Sequence, residues 1–181
     1  MFKILFLLIF LASPLFASGI VISVEGEANG EIVIDLFEDV APSHVERITT
    51  LASKGLYDGV VFHRVIKGFM AQTGDVKFGK RSGDLLMAGM GGSDLPNLNQ
   101  EFSDLNYDRG IVGMARSQDP DSANSQFFIM FDEGSFLNGQ YTVVGKVING
   151  LDILDSIKIG KGANGTILGN PDVMKTVRVI K

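Results

Sequence analysis

Eight short apolar runs, each cut off by turn residues, limit what this chain can become. They fall at 20–24, 31–37, 60–66, 69–73, 111–115, 126–130, 142–148 and 173–180. In the second run Ile32, Ile34 and Leu36 share one face and Val33, Asp35 and Phe37 the other, the two-residue period of a strand. The first two runs meet at Asn29-Gly30, a dipeptide suited to a hairpin turn. Helical spacing is scarcer. Pro42 suits the first turn of a helix reaching about Ser53, with Val45, Ile48, Leu51 and Ala52 on its apolar face and Gly55 as its stop. A second short helix is expected from Leu151 to Ser156. Residues 74–100 are glycine-rich and aperiodic, which predicts a long surface loop folded against the sheet. Many short strands with few helices predict a mainly β domain, a closed antiparallel barrel with no exposed edges.

Residues 1–19 are a different material. Lys3 precedes an apolar run from Ile4 to Leu11, then Pro14 and the small residues Ala17, Ser18 and Gly19. That order is the pattern of a secretory signal peptide, with cleavage expected near Ala17 or Gly19, and residues 20–181 form the single remaining domain. The apolar run is shorter than the roughly 18 residues that span a bilayer. An uncleaved anchor or a buried helix is the alternative. The expected location is the periplasm, with secretion or anchoring by an uncleaved leader as the other outcomes. No cysteine is present, so no disulfide framework forms.

The formal charge is −5 and no Lys/Arg-rich run occurs, a poor match for phosphate backbones, so nucleic-acid binding is not expected. With His44 and His63 the only histidines, a closed zinc site is not expected either. There is no G-x-S-x-G elbow and no G-x-x-x-x-G-K-[ST] loop. His63, within an apolar run, reads as a hydrogen-bonded structural residue. Asn164-Gly165-Thr166 has the form of a glycosylation sequon, but Asn-Gly is more simply a turn.

The chemistry-bearing stretch is Phe62 to Asp75. Arg64, Phe69, Met70 and Gln72 combine a permanent cation, two large apolar side chains and an amide within nine positions. Met114-Ala115-Arg116 and Ser125-Gln126-Phe127-Phe128-Ile129 supply a second polar and aromatic mixture. Together they predict an apolar slot with a fixed cation at its rim, suited to a neutral ligand with one bond that needs electrostatic help. Read by periodicity alone, Phe69, Met70 and Phe128 would be core and Arg64 a surface ion-pair partner.

Phe62-His63-Arg64-Val65-Ile66-Lys67-Gly68-Phe69-Met70-Ala71-Gln72, with Ser125 to Ile129 and Val143-Val144-Gly145-Lys146-Val147, closely resembles the cyclophilin family of peptidyl-prolyl cis-trans isomerases. The likeness runs from about Gly30 to Ile180. It implies an eight-stranded antiparallel barrel closed by two α-helices, with a peptide groove on the outer surface. It implies Arg64 as the catalytic arginine, and Phe69, Met70, Phe128 and Leu137 as walls of a proline pocket. Gln72 would hold the peptide backbone, with Ala115, Arg116 and Gln126 in the groove beside it. Phe136 stands where many members carry a tryptophan whose indole contacts cyclosporin, Tyr141 where many have histidine, and Arg116 where many have asparagine. Lys67 replaces a proline often found there. The partners implied are proline-containing peptides and unfolded or folding exported proteins, with no cofactor and a monomeric enzyme. A non-catalytic proline-peptide-binding chaperone using the same groove is the rival reading.

The reaction needs no nucleophile, metal or cofactor, because no bond breaks. Rotation about an X-Pro bond faces a barrier of about 18–20 kcal/mol from lost amide resonance. As the amide twists, the prolyl nitrogen regains its lone pair. A guanidinium within reach stabilises that state more than the planar one.

Overall fold

The computed structural model describes residues 18–181. One antiparallel sheet dominates it. The strands are β1 (Gly19–Glu25), β2 (Gly30–Leu36), β3 (Val60–Val61), β4 (Arg64–Ile66), β5 (Met70–Thr73), β6 (Ile111–Met114), β7 (Phe127–Met130), β8 (Val143–Asn149) and β9 (Val173–Ile180). Their order across the sheet is β3-β9-β1-β2-β8-β6-β7-β5-β4. Helix α1 (Pro42–Ser53) packs on β9, and α2 (Leu151–Asp155) on β2. Helix α1 matches the predicted span, and α2 ends one residue early.

The closed eight-stranded barrel is therefore corrected to a curled nine-stranded sheet with an open seam. The expected strand over 60–66 is two strands. Val60 and Val61 pair with β9, whereas Arg64 to Ile66 pair with β5 at the far side of the sheet. Phe62 and His63 cross between them outside either ladder; the Phe62 amide donates to Asp172 O at 2.9 Å. Val61 and Arg64 are three Cα steps apart, no more than about 11 Å. The sheet must curl until its two edge strands come that close. Loops cover both edges, as exposed strand edges require. Val61 N–H donates to Gly79 O at 2.8 Å on one, and Val65 N–H to Gly165 O at 2.7 Å on the other.

Alternation places Ile20, Ile22 and Val24 of β1 and Ile32, Ile34 and Leu36 of β2 in the main core, with Phe62, Val65, Ala71, Phe127 and Ile129. From α1, Val45, Ile48, Leu51 and Ala52 join them. A smaller cluster of Met70, Tyr107, Ile111, Phe128, Met130, Leu137 and Val143 forms separately. Strand pleating explains the division: on β5 and β7, residues 71 and 129 face the main core, whereas 70, 128 and 130 face away. The site grows on that second face.

Of the leader expected over residues 1–19, residues 1–17 lie outside the described residues; Ser18 and Gly19 are described, and Gly19 opens β1. Among the described residues no helix is long and apolar enough to cross a membrane. Asn164-Gly165 forms a turn, with φ +65 at Gly165. A Cβ on Gly165 would lie 2.6 Å from Val65 O, so the turn's close approach to β4 needs glycine.

His63 corrects another expectation. It is buried between β3 and β4, and neither ring nitrogen has a hydrogen-bond partner. Burial lowers its pKa to about 4, with Asp75 pulling the other way and Arg64 adding to the depression. An unfolded histidine titrates near 6.5. Between these values the unfolded chain takes up a proton that the folded one refuses. Stability contributed by neutral His63 is thus complete above about pH 6.5 and lost as pH falls toward 4, about 3 kcal/mol in all. Denaturant midpoints measured from pH 7 to 4 should fall accordingly, and His63→Gln should flatten that slope. An unchanged slope in the variant would remove His63 as its source.

Candidate active site

Strand register assembles the site. On β4 and β5, Arg64 lies opposite Gln72, and Gln72 lies opposite Phe128 of β7, which in turn lies opposite Gly113 of β6. Cross-strand partners project to the same side, so cation, amide and ring emerge side by side. Gly113 has to lack a side chain: a Cβ there would meet Tyr107 Oη at 2.5 Å and Phe128 Cζ at 2.6 Å. Tyr107 and Phe128 stack over it with centroids 5.8 Å apart.

The resulting cavity, about 340 Å³, has apolar walls from Phe69, Met70, Phe128 and Leu137. Tyr141 meets Phe128 edge-on at 5.9 Å, and Phe136 stands at the exposed lip, 5.4 Å from Phe69. Arg64 and Gln72 form the polar side, with Ala115 and Arg116 next to them. Ten of the eleven residues predicted from sequence surround this cavity. The eleventh, Gln126, lines an adjoining cavity of about 540 Å³ that shares Gln72, Ala115 and Arg116 as a common wall.

Arg64 is half-buried and held at two points. Its Nε donates to Asn164 O at 3.0 Å and its Nη1 to Gln72 Oε1 at 3.0 Å. Burial pulls its pKa below the ordinary value, with Tyr141 opposing, yet a guanidinium stays charged in proteins. Gln72 Nε2 then donates to Gln126 Oε1 at 2.9 Å. Gln126 Nε2 donates to Gly89 O at 2.9 Å and Gly91 O at 2.7 Å. The amides of those two glycines donate to Asp75 Oδ2 at 2.8 and 2.9 Å. A continuous relay thus runs from the cation to a buried carboxylate under the long loop.

Arg116 is a brace. Its Nη2 donates to Gln140 O at 2.8 Å and its Nη1 to Ser117 O at 2.9 Å, while the guanidinium lies 4.3 Å from the Tyr141 ring centre. It fastens the 117–118 segment to the 140–141 segment, and cation–π attraction seats Tyr141. Sequence reasoning missed Gln140, Asn164, Asp75 and the 89–93 segment. Asp75 appeared only as the last residue of the Phe62–Asp75 run, and Asn164 only as a turn residue. The others act through backbone carbonyls, which side-chain identity does not disclose.

Residues 20–180 match the family described as cyclophilin type peptidyl-prolyl cis-trans isomerase/CLD. The chain belongs to that family. With it comes the enzyme class, peptidyl-prolyl cis-trans isomerase. Among its relatives, a probable peptidyl-prolyl cis-trans isomerase of Brucella suis is 58% identical over 146 residues, covering 80% of this chain and 74% of that one. Peptidyl-prolyl cis-trans isomerase 10 of Caenorhabditis elegans is 39% identical over 137 residues, covering 75% of this chain and 81% of the relative. Among solved structures, a Cryptosporidium parvum cyclophilin-type isomerase crystallised in the presence of the dipeptide Ala-Pro superimposes with a TM-score of 0.75 at 28% identity. That match covers 90% of this cyclophilin chain and 99% of the other.

Proposed function

We propose that this cyclophilin rotates X-Pro bonds in exported polypeptides, with Arg64 stabilising the twisted imide. One observation carries the mechanism: a doubly anchored guanidinium stands at the wall of an apolar cavity. The cavity takes the proline ring, and Gln72, tethered to both Arg64 and Gln126, holds the peptide backbone through its remaining N–H and oxygen lone pair. As the bond twists, the prolyl nitrogen becomes a better acceptor. An Arg64 N–H then bonds it more strongly than in the planar state, lowering the barrier without any covalent step. The Ala-Pro dipeptide present with the Cryptosporidium parvum relative supports a proline ligand for this groove. Exchange measurements by NMR on the peptide Ala-Ala-Pro-Phe test the activity directly; cis and trans signals that do not exchange faster with enzyme than without it would end the reading.

The leader pattern supports export, and β1 favours one cleavage site. Leu36 N–H donates to Ser18 O at 2.9 Å, and Gly19 pairs with both Asp35 and Ile180. Cleavage after Ala17 keeps these bonds, whereas cleavage after Gly19 removes them. Intact-mass measurement of the exported protein should therefore place its first residue at Ser18; a first residue of Ile20 or an uncleaved chain would contradict this.

Phe136 offers a ring but no N–H donor at the lip, where it is 64% exposed. Weak cyclosporin binding is expected. Phe136→Trp should tighten it by roughly tenfold, the worth of one hydrogen bond of about 1 kcal/mol or slightly more. Calorimetric titration of both proteins decides it, and equal affinities would discount the missing donor.

A further inference from the structure

The long loop displays apolar side chains to solvent and is built to keep them there. Leu86 is 85% exposed, Met87 48% and Met90 74%. Among the described residues nothing covers these surfaces. Yet the segment is tightly ordered by hydrogen bonds. The Asp84 carboxylate accepts from Leu86 N–H at 2.9 Å, capping a short 3-10 turn over Leu85–Met87. Ala88 N–H donates to Leu85 O and Met90 N–H to Met87 O, each at 3.0 Å. Asp75 then clamps the amides of Gly89 and Gly91. The polar groups hold the backbone while the large apolar side chains face outward.

We propose that Leu86, Met87 and Met90 form a docking ledge for apolar segments flanking the proline of an unfolded client chain. This rests on the isomerase reading, because continuity with the groove names the occupant. Met90 lines the 540 Å³ cavity, and that cavity meets the proline cavity across Gln72, Ala115 and Arg116. A chain with its proline in the smaller cavity and its flank crossing that wall arrives at Met90, then at the turn bearing Leu86 and Met87. Methionine and leucine suit the task. The thioether side chain is flexible and polarizable, and it packs against irregular apolar partners without demanding one sequence. An exposed apolar patch beside a binding groove is a common mark of such contact. Because the loop is already ordered, binding need not pay to order it.

Two sets of peptides test the ledge on the full chain. One is Ala-Ala-Pro-Phe alone. The other is twelve-residue peptides carrying the same core, extended on both sides by Leu and Val or by Ser and Gly. Wild type should process the apolar extension with kcat/KM roughly tenfold above the polar one, chiefly through KM, a difference of about 1.4 kcal/mol. Leu86→Ser/Met87→Ser should erase that gain and leave Ala-Ala-Pro-Phe unaffected. Leu86→Met/Met87→Leu should retain it. No gain in wild type, a gain that survives the serine pair, or a gain lost in the swapped pair each overturns the ledge. So does a wild-type dimer in sedimentation that the serine pair converts to monomer, since the surface would then belong to a second copy. Failure to isomerise Ala-Ala-Pro-Phe would instead sink the isomerase reading, and affinities for the two extensions would still judge the ledge.

Discussion

Arg64→Ala is expected to lower kcat/KM on Ala-Ala-Pro-Phe by about 10²–10³-fold, the usual loss when one preorganised donor to a transition state is removed. Peptide affinity should change only a few-fold, because the apolar walls from Phe69, Met70, Phe128 and Leu137 remain. Thermal stability should hardly move. The acceptors left behind, Asn164 O and Gln72 Oε1, border a cavity where water can replace the guanidinium. Arg64→Lys should recover only part of the loss. A lysine carries the charge but cannot span Asn164 and Gln72 while aiming another N–H at the imide. Exchange rates and binding titrations on the same proteins separate the two effects. Wild-type rates in the alanine variant would leave the groove as a binder alone.

Asp75→Ala is expected to be the most destabilising single change near the site. The carboxylate is fully buried and accepts four backbone amides, from Lys77 at 3.0 Å, Phe78 at 2.9 Å, Gly89 at 2.8 Å and Gly91 at 2.9 Å. Removing it strands four donors, each worth about 1–3 kcal/mol if unpaired, although relaxation and water recover part. A net loss of about 3–5 kcal/mol is expected, which for a domain of this size lowers Tm by roughly 10 °C. Activity should fall as well, since Gly89 and Gly91 hold Gln126 and through it Gln72 and Arg64. Asp75→Asn is the informative companion. Its amide nitrogen would face two N–H donors, so about half the loss should persist. Hydrogen exchange at Lys77, Phe78, Gly89 and Gly91 should accelerate in both variants. A drop in stability below about 1 kcal/mol in Asp75→Ala would show that the loop holds itself.

Local chemistry carried much of the architecture. The helix from Pro42 to Ser53 was legible because it depends on neighbours in sequence, a proline at its first turn and a glycine after its last; the β1–β2 hairpin was legible too, but its reversal runs through Gly26–Ala28, and Gly30, expected in the turn, is already paired with Val24. The outward-facing set at Arg64, Phe69, Met70, Gln72 and Phe128 was also recognisable, through its resemblance to the cyclophilin motifs. The run from Val60 to Ile66 misled for an equally definite reason. Its apolar pattern is continuous, but its two halves pair with strands at opposite ends of the sheet, and nothing within seven residues records that. His63 misled likewise: its place in the run suggested a paired ring, whereas the crossing buries it without one.

Residue order therefore determined most of the strand and helix segments, because those properties arise from spacing and side-chain type, while the candidate site residues were picked out by their likeness to the cyclophilin motifs. Folding in three dimensions decided how the sheet curls, where its seam lies and how Arg64 is aimed. It also decided that buried Asp75 holds the amides of Gly89 and Gly91, whose carbonyls in turn anchor Gln126. Those outcomes depend on backbone hydrogen bonds between distant segments, which every residue except proline can donate and every residue can accept, so the alphabet of side chains does not encode them directly.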